Sequence, residues 1–480
     1  MALKIGLAEG GGNVVRGAGA GKKSSWMERG CGFIAFTPTC SFPENMRARL
    51  EKYFDFAGLK TTWKTEIFAG VTTFVTMAYI IVVNPAILGK AGLPVPAVTA
   101  ATCIAAAFGS ILMGVVARYP LALAPGMGLN AYFSYMVVMK MHVPWQTALG
   151  AVFLSGAIFL LLTATGLRQA ILGSIPRELY SSVAGGIGLF IAFIGFKNAG
   201  IVAADPATMV TLGNLREPQT FLALFGVLLM AALLAWRVRG AILIGVLTIT
   251  VAGIPLGLVH WNPTPYSMAA ITQTAFKLDI PGALHIGLVE IVFVFLFVDL
   301  FDNLGTLVAV TKHAGLLGPN DEIPRLSQIL FADATATVAG SLVGTSTVTS
   351  YIESAAGVAA GGRTGVTAIV TGLLFLCSLV VAPFVSMVPT AATAPALIVV
   401  GSLMLHTLGE IEWKQPLIAF PAFLTLVLIP LTTSIANGLG FGIIAFAALH
   451  LATGKFRRQD WLLYVLAVLF LARFVYVAGG

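Results

Sequence analysis

Runs of roughly 20 apolar residues recur from Ile67 to the C-terminus, and no other feature constrains the fold so tightly. A helix of that length crosses a hydrocarbon core about 30 Å thick. Inside that core every backbone N–H and C=O must find its partner within the protein, so such runs make a bundle of helices. Composition excludes the soluble alternative. Only 10% of the 480 residues are charged and 58% are hydrophobic, whereas an ordinary soluble domain carries about 25% charged residues. The fold class is all-α and polytopic. The four cysteines build no disulfide framework: Cys31 and Cys40 stand in the N-terminal tail, Cys103 and Cys377 in apolar runs.

Expected spans cover about 67–88, 97–117, 121–139, 146–166, 179–199, 219–236 and 241–259. After a polar link come about 285–309, 326–343, 345–361, 365–388, 391–408, 416–433 and 435–453. A last apolar stretch, 461–477, either crosses once more or lies on the membrane surface. The net charge of +8 first raises nucleic acid as a partner, but its basic residues sit in short loops. Arg118, Arg168, Arg177, Arg237, Arg239, Lys312, Arg325, Arg363, Lys414, Lys455, Arg457 and Arg458 all fall on the even-to-odd connections. That is the positive-inside pattern of a multi-pass protein of the cell (plasma or inner) membrane with its N-terminus in the cytoplasm. Residues 1–45 are Gly-rich and aperiodic, read as a disordered extension, and lack the apolar core of a signal peptide. Met46, followed by RARLEKYFDF, starts an expected basic lead-in helix over 46–64, and initiation at Met46 instead of Met1 is a live alternative.

Seven spans, a link and seven more point to a duplicated unit, 65–259 and 285–454, separated by an extracellular link at 260–284 and followed by an apolar segment at 455–480. An odd number per unit places the copies in opposite orientation. LALAPGMGLNAYF (121–133) and LVGTSTVTSYIES (342–354) hold the third place in each half. PRELYSSVAGGIGLFIAFIG (176–195) and PTAATAPALIVVGSLMLHTLG (389–409) hold the fifth. Short, Gly/Pro-interrupted segments at matching places of inverted halves are where transporters build their binding sites.

Carboxylates mark the same region. Glu290, Asp299, Asp302, Asp333 and Glu353 are the acidic residues within the expected spans, and all belong to spans eight to ten. A carboxylate at mid-bilayer costs roughly 2.5–3.5 kcal/mol, so such residues face an interior path. Asp299 and Asp302, at i and i+3, share a helix face, and crowding two carboxylates in a low dielectric favours holding a proton. Glu353 follows the broken segment GTSTVTSY, and Asn130 takes the corresponding place in the first half. Glu290 and Asp333 fit helix-to-helix contacts equally well. Thr345, Ser346 and Thr347 either donate to a ligand or bond back to their own segment. His142, His260 and His313 form no metal-ligand spacing, so no metal and no cofactor beyond an ion gradient is expected.

FVDLFDNLGTL (297–307), GTSTVTSYIESAAGVAAGGRTG (344–365), TTWKTEIFAGVTTFVTMAYIIVVNPAIL (61–88) and APGMGLNAYF (124–133) together resemble the AzgA-like purine permeases. These form a branch of the nucleobase:cation symporters, within the nucleobase–ascorbate transporter superfamily. The likeness covers about 60–477 and implies two inverted seven-span repeats. It also implies a core domain at about 65–166 and 285–388, a gate domain at about 176–259 and 389–454, and substrate between broken third and tenth spans. Asn130, Asp299, Asp302 and Glu353 are the site residues it carries over. It implies proton-coupled import of adenine, guanine or hypoxanthine by an elevator-like movement, in a superfamily where homodimers are usual. The chemistry agrees: carboxylates suit the N–H edges of a purine, Asn130 suits either edge, and Phe74, Tyr79 or Tyr351 are candidates to stack on its face.

Two other classes fit less well. An anion transporter of the same architecture would want a basic residue at the broken segments, yet no Lys or Arg lies between Lys277 and Lys312 and the site is acidic. An intramembrane aspartyl protease needs its acids on two facing helices, whereas Asp299 and Asp302 share one. No catalytic residue is expected. In the expected mechanism a proton from outside neutralises Asp299, Asp302 or Glu353 and creates the site for a neutral purine.

Overall fold

The computed structural model describes residues 44–165, 177–259, 268–285, 289–316, 323–455 and 461–477. Contacts divide the chain into 1–48 and 49–480, and the second unit carries everything from Arg49 on. The expected N-terminal extension lies outside the described residues up to 43. The lead-in helix α1 (Glu44–Tyr53) is shorter than expected, because Asp55 and Lys60 adopt positive φ and turn the chain. The next helix restarts behind Thr62, whose side chain accepts from the Thr65 N–H.

Span one is two helices, α2 (Trp63–Met77) and α3 (Ile80–Gly89), the second containing Pro85. Span two, α4 (Val95–Leu112), widens into a π turn at Met113–Ala117. Span three opens with a strand, β1 (Leu123–Pro125), before α5 (Met127–Ala131) and a π-helical run over Tyr132–Lys140. The first half is completed by α6 (Trp145–Ala164), α7 (Arg177–Asn198), α8 (Pro218–Ala235) and α9 (Ala241–Gly253). Between α7 and α8 lies an unanticipated hairpin, β2 (Val202–Asp205) and β3 (Met209–Leu212). A short α10 (Ile280–His285) occupies the link.

The second half repeats the plan with α11 (Val289–Ala314), α12 (Leu326–Val343), β4 (Val348–Ser350), α13 (Ser354–Ala359) and α14 (Gly365–Cys377). Then follow α15 (Ala382–Val385), α16 (Thr390–Met404), α17 (Pro416–Thr432), α18 (Ile435–Ala452) and α19 (Trp461–Val477). Among the described residues nine helices are long and apolar enough to cross a membrane, and several expected spans are shorter pieces. The stretch left open at 461–477 is α19, which returns along α18. Arg473, in its last turns, donates to Asn437 in the first turn of α18 at 3.1 Å, and Phe474 stacks on Phe441 at 4.8 Å. Phe470 meets Phe293 of α11 edge-on at 5.7 Å.

The halves meet at their third and tenth spans. β1 and β4 pair antiparallel, with Leu123 opposite Ser350 and Pro125 opposite Val348. Strands this short inside an apolar bundle leave backbone groups to satisfy, and each half solves this with one hydroxyl. Ser110 of α4 donates to Leu123 O at 3.0 Å and accepts from Leu123 N at 2.9 Å. Thr337 of α12 does the same for Val348, at 2.9 and 3.2 Å. These brackets occupy equivalent places in spans two and nine. Gly344, at φ +103°, makes the turn from α12 towards β4 that a side chain would strain.

Two groups of helices result. α4 packs on α3, α12 and α14; α2 packs on α13 and α14; α6 packs on α11 and α12. Separately, α7 packs on α16 and α17, α16 on α8 and α9, and α17 on α18. In the second group α7 and α16, the fifth and twelfth spans, cross where a Cβ on Gly401 would lie 2.4 Å from Gly188 O. Only small residues permit such an approach. α5 and α11 both also touch α7.

Candidate functional site

The strand pair is the centre of a polar layer inside an apolar bundle. Tyr351 donates from its hydroxyl to Pro125 O, tying the end of β4 to the end of β1. Two residues on, the Glu353 carboxylate accepts a 2.6 Å hydrogen bond from the hydroxyl of Tyr79, which is fully buried at the junction of α2 and α3. The break in span one thus brings Tyr79 to the break in span ten.

Asn130, on α5 directly after β1, is wholly buried. Its amide donates to Asn84 Oδ1 on α3. Asn84 in turn donates to Thr102 of α4 at 2.7 Å and to Thr345 at 3.1 Å. One network therefore joins spans one, two, three and ten. The second half has its counterpart. Asp299 of α11, 1% exposed, lies 3.5 Å from the hydroxyl of Thr337, whose proton goes to Val348 O, and Asn303, one turn on, accepts from Ser350 of β4 at 2.5 Å. Asp302 lies on the same helix one turn from Asp299, but its side chain is outside the described residues, as is that of Glu290. Asp333 is fully buried in α12.

Several buried polar atoms have no protein partner among the described residues: Asn130 Oδ1, Asn303 Nδ2, Ser134 Oγ, Ser346 Oγ, Thr347 Oγ1 and Thr349 Oγ1. Leaving such a group unpaired costs about 1–3 kcal/mol, and because most of them stand on or beside one strand pair, that pair is the candidate for a ligand site. The atoms include an acceptor, a donor and hydroxyls able to act as either. Of the stacking candidates, Phe74 instead packs edge-on against Phe375 at 5.2 Å. Tyr79 and Tyr351 are engaged through their hydroxyls.

Sequence reading had missed Asn84, Asn303, Ser110, Thr337 and Glu66. The Asn-Pro pair in IIVVNPAIL was the available signal for Asn84, and Asn303 stood inside FVDLFDNLG. Glu66, one residue before the expected start of span one, is fully buried. Its carboxylate accepts from Thr61 (2.8 Å), the Arg363 and Thr364 N–H groups (3.0 and 3.2 Å) and Thr367 (2.6 Å). It joins α2 to α14, the first span of one half to the fourth of the other.

The family model for xanthine/uracil permeases, described as the Permease family, matches residues 64–440. The chain belongs to the nucleobase–ascorbate transporter family. Members of this family are transporters and not enzymes. Adenine permease AdeP of Escherichia coli is 42% identical over 428 residues, 89% of this chain and 96% of that one. Guanine/hypoxanthine permease PbuG of Bacillus subtilis is 43% identical over 443 residues, 89% of this chain and all of that one. The transmembrane domain of the cyanobacterial bicarbonate transporter BicA superposes with a TM-score of 0.60 at 17% identity, covering 79% of this chain and 97% of that one. That likeness shows a shared fold.

Proposed function

We propose that the chain is a proton-coupled symporter that imports purine nucleobases across the cell membrane. The observation that carries the reading is the set of buried, unpartnered polar atoms at the β1–β4 pair, beside the Glu353–Tyr79 bond. A purine is flat, and its edges offer N–H donors, ring-nitrogen acceptors and, in the oxopurines, a carbonyl. Asn130 Oδ1 suits an N–H, Asn303 Nδ2 suits a ring nitrogen or carbonyl, and the hydroxyls adapt to either. Thr345, Ser346 and Tyr351 line the same segment. Relatives named for adenine and for guanine/hypoxanthine support the substrate class.

In this reading, protonation from outside of one of Asp299, Asp302 or Glu353 prepares the site. The helix group that carries the strand pair is the core and the α7, α8, α9, α16, α17 and α18 group is the gate. The loaded core slides past the gate, and the inward proton gradient makes uptake concentrative. The N-terminus is cytoplasmic, and a homodimer is the assembly the resemblance implies.

The test is uptake of labelled adenine, guanine, hypoxanthine and uracil into cells lacking their own permeases, with and without a protonophore. Purine uptake abolished by the protonophore supports the reading, and no uptake from protein shown to reach the membrane sinks it. Asp302→Asn should fold and lose concentrative uptake; full accumulation by that variant would overturn the coupling.

A further inference from the structure

The hydrogen bonds around Asn130 determine which end of its amide is free. Thr102 donates its one hydroxyl proton to Val98 O at 2.6 Å, so towards Asn84, 2.7 Å away, it acts as an acceptor. The Asn84 atom facing it must therefore be the NH2 group, which also reaches Thr345 at 3.1 Å. Asn84 Oδ1 is then the atom left to face Asn130, and Asn130 must answer it with its own NH2. What remains of the Asn130 amide is Oδ1, wholly buried and without a donor among the described residues. The proton of a threonine on span two thus sets, through two amides, the polarity of a group on span three.

From this we infer that Asn84 is a positioning residue that holds Asn130 as an obligate acceptor, and that the ligand presents a ring N–H to Asn130 Oδ1. The inference rests on the reading of the site as a nucleobase site and specifies one edge of it. An asparagine able to turn freely would accept an N–H or donate to a lone pair with equal ease. One whose amide is locked discriminates, because a ligand offering C–H at that point leaves a buried oxygen unpaired. Thr102 has no other part in the chain of bonds, and the Thr345 hydroxyl can accept from or donate to Asn84, so Thr102 alone sets the direction.

The test measures competition by 1-, 7- and 9-deazahypoxanthine against labelled hypoxanthine uptake. Each probe replaces one ring nitrogen with C–H without adding bulk. In the parent protein, one of the three should compete about tenfold or more worse than hypoxanthine, the factor expected for one lost hydrogen bond with a buried partner left behind. Asn84→Ala should raise the KM for hypoxanthine and bring that one ratio towards one, leaving the other two unchanged. Asn84→Asp, which keeps an oxygen facing the Asn130 NH2, should preserve the ratio. If Asn84→Ala does not reach the membrane, Thr102→Val carries the test: it preserves side-chain shape, frees the Asn84 amide to turn, and should lower the same ratio. A merely structural role would reduce the uptake rate and leave all three ratios alone, and that result overturns the inference. Failure of the parent protein to transport any purine would instead overturn the proposed function.

Discussion

Glu66 gives the sharpest test of how the two halves are joined. Its two carboxylate oxygens accept four hydrogen bonds, two from backbone N–H groups of Arg363 and Thr364 and two from the hydroxyls of Thr61 and Thr367. Hydroxyls can turn to other partners, but the two N–H groups, on the N-cap Thr364 of α14 and the residue before it, are fixed by the backbone and have no such freedom. Glu66→Ala orphans both, at about 1–3 kcal/mol each, for a total of about 2–6 kcal/mol. Glu66→Gln keeps one oxygen and puts an NH2 in place of the other. Thr367 or Thr61 can rotate to accept from that NH2, whereas one backbone N–H is left facing a donor, so the cost is about 1–3 kcal/mol. Reversible unfolding in mixed detergent micelles, followed by tryptophan fluorescence, should rank the parent above Gln and Gln above Ala. An alanine variant within about 0.5 kcal/mol of the parent, the range of an ordinary surface change, would refute the argument. So would a glutamine variant as damaged as the alanine one.

Removing the Tyr79 hydroxyl with Tyr79→Phe deletes the 2.6 Å bond to Glu353; uptake should fall about tenfold, as for the loss of about 1.4 kcal/mol, with unchanged membrane yield. Ser110→Ala and Thr337→Val each delete both bonds of a bracket. Each should lower unfolding stability by about 1–3 kcal/mol, and a marked difference between them would argue against equivalent roles. Gly401→Ala drives a methyl to 2.4 Å from Gly188 O and should destabilise by about 1–3 kcal/mol in the same unfolding assay. Outside the membrane, the N–H groups of Thr208 and then Ala207, with the Thr208 hydroxyl, hold the exposed Asp205 carboxyl below the usual carboxylate range. The turn of the β2–β3 hairpin is therefore supported above the ordinary carboxylate pKa and released as pH falls through the lowered one. Amide chemical shifts of Ala207 and Thr208 should follow that titration, and Asp205→Ala should abolish it.

Span positions were legible because polar residues and glycines bracket the apolar runs. The expected 326–343 is α12, bounded by Arg325 and Gly344. Asp299, Asn130 and Glu353 were legible because a polar side chain in such a run stands out against its surroundings. The strand pair was not. LAP and VTS are too short to show a two-residue alternation, and what makes them strands is a partner in the other half of the chain. Asn84 and Thr337 were hidden for a related reason: their meaning lies in which atom each faces, and that exists only once spans one, three, nine and ten are assembled. Glu66 was lost at a boundary, where a buried acid looks like one that merely starts a helix.

The β1–β4 pairing also has a temporal side. The Tyr351 hydroxyl and Pro125 O that close it are 226 residues apart in sequence. At about 5–20 residues per second, a ribosome needs roughly 10–45 s to bridge that gap. Throughout that interval span three has a strand where a membrane helix would satisfy itself, and beyond Leu123, which Ser110 brackets, its backbone lacks the mate that β4 supplies. The first half must therefore wait in the bilayer shielded by water, by a chaperone or by the insertion machinery, and it cannot become a finished module before its twin arrives. For this fold, duplication has not produced two independent halves; each is a template that the other completes.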